Sequence, residues 1–111
     1  MSKNNVRVTV YPKDQDFQIS VGARHLTSRS YANSSNAYRG ARSAMRNLAS
    51  GNITNESNYG PEVLAITNVN GFVIAANEQN SARTAAKAAS DVYVKTRGVK
   101  VKNMIFEAAE Q

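Results

Sequence analysis

YANSSNAYRGARSAMRNL, residues 31–48, is the stretch on which the fold turns. At 100° per residue, Ala37, Ala41, Ala44 and Leu48 fall within about 60° of one another on a helical wheel, which makes one narrow apolar stripe. Arg39, Arg42 and Arg46 cluster within about 60° as well, nearly opposite the alanines. The segment therefore reads as a helix with a core face of small residues, suited to close approach to a sheet, and a cationic face directed at solvent or a partner. The hydroxyl of Ser34 or Ser35 is placed to cap its free N–H groups, and Gly51 to stop it near Ala49.

Upstream of this helix the pattern changes to period two. Val6, Val8 and Val10 alternate with Arg7 and Thr9, and Phe17, Ile19 and Val21 alternate with Gln18 and Ser20, each run a half-buried strand. Asp14-Gln15-Asp16 supplies the turn between them, Gly22-Ala23 allows another, and His25 to Ser30 completes an antiparallel three-stranded meander.

Downstream the plan repeats. Ile53 to Ser57 reads as a short strand, Tyr59-Gly60-Pro61 as a turn, Val63 to Thr67 as a strand, and Asn70-Gly71 as a hairpin turn returning through Val73 to Ala76. A second helix starts at a Ser81 cap and runs to about Lys95, with Ala85, Ala88, Ala89 and Val92 inward and Arg83, Lys87 and Asp91 outward; Gly98 stops it. Val99 and Val101, alternating with Lys100 and Lys102, lead through Met104 to Phe106 as one more strand, and Glu107 to Gln111 read as a frayed tail. At an offset of 48 residues Ala37 aligns with Ala85, Ala41 with Ala89 and Leu26 with Ile74. The expectation is an α+β fold, a single domain of two pseudo-symmetric βββα repeats (about 1–51 and 52–106). Two small antiparallel sheets, each with one helix, are expected to bury their apolar faces against one another, because about fifty residues alone bury too little surface to fold.

Composition narrows the function classes. The chain has 111 residues, no cysteine and one histidine, so disulfide scaffolds, thiolate zinc sites and histidine metal clusters are not expected. It has no long apolar run and no charged-then-apolar leader, so no membrane segment is expected and a cytoplasmic address is the default. The net charge is +6, of which residues 1–60 carry +5 and residues 61–111 carry +1. Clustered cations of this kind raise encounter rates with polyanions.

Tyr31, Ser34, Ala37, Gly40, Ser43, Ala44 and Asn47 resemble the Y-x-S-x-x-x-A-x-x-G-I-x-S-V-x-x-N signature of the YegP-like family. Leu64, Asn70-Gly71, Val73-Ile74, Glu78, Ser81 and Ala85 are similar to that family's L-x-x-x-N-G-x-V-I-x-x-S-E-x-Y-x-S pattern. The resemblance covers most of the chain and implies an intertwined fold of two βββα repeats. It implies no particular activity, since the family is functionally uncharacterised.

Catalysis is not expected. His25 sits alone on a strand, the serines fall where caps and turns need them, the acidic residues do not cluster, and no phosphate-cradling glycine loop is present. No metal and no cofactor are expected. The arginine row remains: guanidinium groups bind phosphate oxygens in a bidentate way, and Tyr38 and Tyr31 could stack on a base. Arg24 and Arg29 extend the patch, and Lys95, Arg97, Lys100 and Lys102 form a second basic cluster. The first reading is a small non-enzymatic protein that contacts nucleic-acid backbone. The alternatives are docking on an acidic protein, as an inhibitor or regulator of the kind mobile elements encode, and binding of a small anionic nucleotide-like ligand. A solvated helix face with the tyrosines bordering the core competes with all three, and the alanine-rich faces and sheet edges also suit a homodimer.

Overall fold

The computed structural model describes residues 6–55 and 60–109. Alternation builds its first strands as expected. In β1 (Val6–Tyr11) Val6, Val8 and Val10 are fully buried, and in β2 (Asp16–Val21) so are Phe17, Ile19 and Val21. The two pair antiparallel with Val8 opposite Ile19. Each such aliphatic side chain taken out of water contributes about 1.5–3 kcal/mol. Gln15 makes the turn between them at φ +60°, its N–H donating to the Tyr11 carbonyl at 2.8 Å.

The third strand, β3 (Arg24–Ser28), pairs antiparallel with β2 but stops two residues short of the expected Ser30. The buried Ser28 hydroxyl accepts from the Phe17 N–H at 3.0 Å and donates to the Arg29 carbonyl at 2.8 Å. A side chain thus replaces the next rung of the ladder and the chain turns away. Helix α1 (Ser34–Ala49) follows, and its cap is Asn33, not Ser34 or Ser35: the Asn33 side chain accepts from the Asn36 N–H at 2.8 Å. Ala37, Ala41, Ala44, Met45 and Leu48 are buried, and Gly51 leaves the helix at φ +80°.

The second half repeats the first with β4 (Ile53–Asn55), β5 (Val63–Thr67), β6 (Val73–Glu78) and α2 (Ala82–Thr96). Ser81 caps α2 through the Thr84 N–H at 3.2 Å, as expected. The cap residues Asn33 and Ser81 stand 48 positions apart, so the offset read from the alanines is also the structural one. Residues Glu56 and Ser57 of the expected strand, and Tyr59 of the expected turn, lie outside the described residues.

All strands among the described residues join in one seven-stranded sheet of order β4-β5-β6-β3-β2-β1-β7, instead of two sheets laid face to face. The halves meet edge to edge through β3 and β6, antiparallel, with Thr27 opposite Ala76. Each is the last strand of its meander, and pairing them satisfies two edges of backbone N–H and C=O groups at once. The six strands of the two meanders are arranged symmetrically about that junction, as a pseudo-two-fold requires, and β7 adds a seventh strand beyond β1. Helix α1 packs on β1 and β2 and reaches β5 and β6, while α2 packs on β4 and β5 and touches β2. One apolar cluster consequently includes Val8, Ile19, Ala41 and Leu48 of the first half with Ile66 and Val92 of the second.

The C-terminal segment departs from expectation. Val99 donates its N–H to the Thr96 carbonyl at 2.9 Å as part of the helix ending, and Val101–Asn103 form a single 3₁₀ turn. The strand β7 is Ile105–Ala108, parallel to β1 with Val8 opposite Phe106. Glu107 and Ala108 are therefore strand residues and not a frayed end; Glu107 pairs with Arg7 at 2.6 Å, and Ala109 donates to the Val10 carbonyl at 2.8 Å. Residues 110 and 111 lie outside the described residues. No described helix is long and apolar enough to cross a membrane.

Candidate nucleic-acid interface

Helix α1 carries no acidic residue, and its three arginines, Arg39, Arg42 and Arg46, are all exposed. At about 1.5 Å per residue the row spans roughly 10 Å. Arg46 lies in the last turn, where the helix dipole favours a cation. The two ion pairs among the described residues, Arg7–Glu107 and Arg24–Asp91, involve none of the three.

The flank of α1 toward β7 gives this row a wall. Phe106 is half-buried, with the Tyr38 ring edge-on to it at 6.3 Å and the Arg42 guanidinium over its face at 5.3 Å. Stacking occupies the π face of a guanidinium and leaves its in-plane N–H groups free to donate. Arg42 thus contacts Phe106 and has no ion-pair partner among the described residues. Arg42, Met45, Arg46, Val101 and Phe106 line an open cleft of about 410 Å³. Val101 of the 3₁₀ turn lines it, and the exposed Lys100 and Lys102 are the neighbours of Val101 in the chain.

The other residues of the expected patch go elsewhere. Arg24 donates to the Asp91 carboxylate of α2 at 3.0 Å, and this hydrogen bond, with Lys87 and Lys95 nearby, holds that carboxyl below the usual range. Arg24 is therefore a paired cation facing α2, and not an extension of the row. Lys95 lies across Gly22 beside the same pair, where a Cβ on the glycine would come within 2.7 Å of Nζ. Arg97 sits over Tyr93 at 6.0 Å, where the C-terminal ends of both helices meet. The second basic cluster is thus divided: Lys100 and Lys102 are chain neighbours of Val101, which lines the α1 cleft, while Lys95 lies across Gly22 and Arg97 over Tyr93. His25 is exposed and its Nδ1 meets the Ser20 hydroxyl at 3.0 Å.

Arg29 and Tyr31 line a different groove, where the two repeats meet. Tyr31 stacks on Phe17 with centroids 6.2 Å apart, the Arg29 guanidinium lies over it at 4.7 Å, and its hydroxyl end rests on Gly40 of α1. Burial pushes the Tyr31 phenol up, with Arg29 opposing. Asn68, Phe72, Val73 and Ile74 form the opposite side. Phe106, Val101, Asn68 and Phe72 were not legible as site residues. The first two belong to a segment whose alternation suggests a longer strand, and the last two flank an Asn-Gly turn that accounts for itself.

The architecture is that of an α+β protein of two intertwined βββα repeats, as the family resemblance implied. The same fold occurs in the solution NMR structure of YegP from E. coli, a protein of unknown function, which matches at a TM-score of 0.60 and 15% sequence identity over 100% of this chain and 98% of that one. Likeness at this identity is a likeness of fold. No family model matches the chain, and no curated protein matches it.

Proposed function

We propose that this is a non-enzymatic, cytoplasmic binding protein that contacts nucleic-acid backbone through α1. The observation that supports the reading is the exposed row Arg39, Arg42 and Arg46, without an ion-pair partner among the described residues, on a helix without a single carboxylate, one member of it lying over Phe106. On this reading the exposed Lys100 and Lys102, next to Val101 in the chain, add to the cationic surface. Contacts of this kind address phosphates, so they confer affinity and steep salt dependence more than sequence preference.

The test is a salt-titrated anisotropy assay on labelled oligonucleotides with the R39A/R42A/R46A variant, beside an R83A/K87A control on the exposed side of α2. The triple variant loses affinity and about 2–3 units of salt slope, since each phosphate contact contributes about 0.9. The control loses little. Equal binding by wild type and triple variant overturns the proposal. The apolar residues between the arginines, Met45, Val101 and Phe106, support a second reading, an acidic protein segment with an apolar anchor. A stoichiometric protein retained on the bait after nuclease treatment, and lost with the triple variant, distinguishes it.

A further inference from the structure

The β5–β6 hairpin displays apolar side chains at its tip: Val69 is 88% and Phe72 68% exposed. Its turn is braced. The Asn68 Oδ1 accepts from the N–H groups of Asn70 at 2.9 Å and Phe72 at 3.1 Å, the Asn68 N–H donates to the Phe72 carbonyl at 3.0 Å, and Gly71 supplies φ +84°. The Phe72 ring therefore stands on a fixed backbone. It borders, with Arg29, Tyr31, Asn68, Val73 and Ile74, an open groove of about 430 Å³. Arg29 lies over the Tyr31 ring at 4.7 Å, as Arg42 lies over Phe106, and neither ion pair among the described residues involves it.

An exposed apolar ring in one groove with a guanidinium that has no ion-pair partner among the described residues matches one ligand chemistry well, a heteroaromatic ring carrying a phosphate. Tyr31 rests on Gly40, so the groove lies along α1, on a different face of that helix from the arginine row. Inside a duplex both faces of each base are already stacked, so an internal base offers none here. We infer that this groove takes an unpaired nucleobase, stacked on Phe72 with its phosphate on Arg29, and that the basic face accordingly selects single-stranded over duplex nucleic acid. The inference rests on the reading of α1 as a phosphate-contacting helix.

The test uses the full chain and DNA oligomers of one sequence, single-stranded and annealed. The chain has no tryptophan, so F72W introduces a unique fluorophore at the groove. Single strands quench its emission in step with binding; duplex does not. F72A, at an exposed position and hence with unchanged thermal stability, loses about tenfold in single-strand affinity and leaves duplex affinity and the salt slope unchanged. Absence of quenching, or an F72A variant that binds single strands like wild type or loses both ligands equally, overturns the groove assignment. When the triple-arginine variant still weakens binding, only the groove assignment falls, and Phe72 then belongs to a protein contact. A wild-type protein that binds neither oligomer removes the α1 reading and this inference with it.

Discussion

At Gly40 a residue with low helix propensity is kept mid-helix because something lies against it. A Cβ built there would overlap the Tyr31 hydroxyl and ring. On an open helix surface Gly→Ala stabilises by about 1 kcal/mol. Here Tyr31 must swing off Phe17 to make room, which costs about 1–3 kcal/mol of packing. Gly40→Ala is therefore expected to lower stability by about 1 kcal/mol in urea unfolding, and to become neutral or stabilising in a Tyr31→Ala background. Asp91 supplies a pH signature. Its carboxyl lies below the ordinary value because Arg24 donates to it. The folded state thus favours the ionised form, a contribution present above the unfolded value of about 3.9 and lost as pH falls through the lower folded one. The stability difference between wild type and Asp91→Asn is expected to be constant near neutrality and to close in acid. Asp16, pushed up by its own burial and by Asp14, acts in the opposite direction, so the difference between variants is the quantity to follow.

Single elements were largely legible in the sequence, because one period along one segment reports one face. The alanine stripe and arginine row of α1, and the alternating valines of β1, are of this kind. Choices between neighbouring polar residues were not. Asn33, Ser34 and Ser35 can all cap a helix, and only the extended backbone of Asn33 decides among them. Asn33→Ala is expected to cost about 1 kcal/mol in thermal or urea unfolding, and Ser34→Ala only a few tenths. A larger effect at Ser34 would contradict the assignment. The segment after α2 misleads for a related reason: Val99, Lys100, Val101 and Lys102 alternate like a strand, but the helix ending and the 3₁₀ turn occupy them. The strand then begins at Ile105.

Across the whole molecule, what escaped the sequence is what depends on residues far apart. Nothing in β3 or β6 marks them as partners, so the single sheet arises only when both meanders exist and their last edges meet. Arg24 reads as a free cation until Asp91, 67 positions away, comes beside it. The same assembly sorts the positive charge: Arg24 is neutralised, Lys95 and Arg97 are drawn to other places, and Arg39, Arg42 and Arg46 remain outward beside Lys100 and Lys102. The most direct test of that sorting is an NMR titration following the arginine Nε–Hε resonances while a short oligonucleotide is added at low salt. The account predicts shifts at Arg39, Arg42 and Arg46 that reverse with salt, while Arg24 stays still. Shifts centred on Arg24 and the hairpin beside it, with the α1 resonances unmoved, would contradict it.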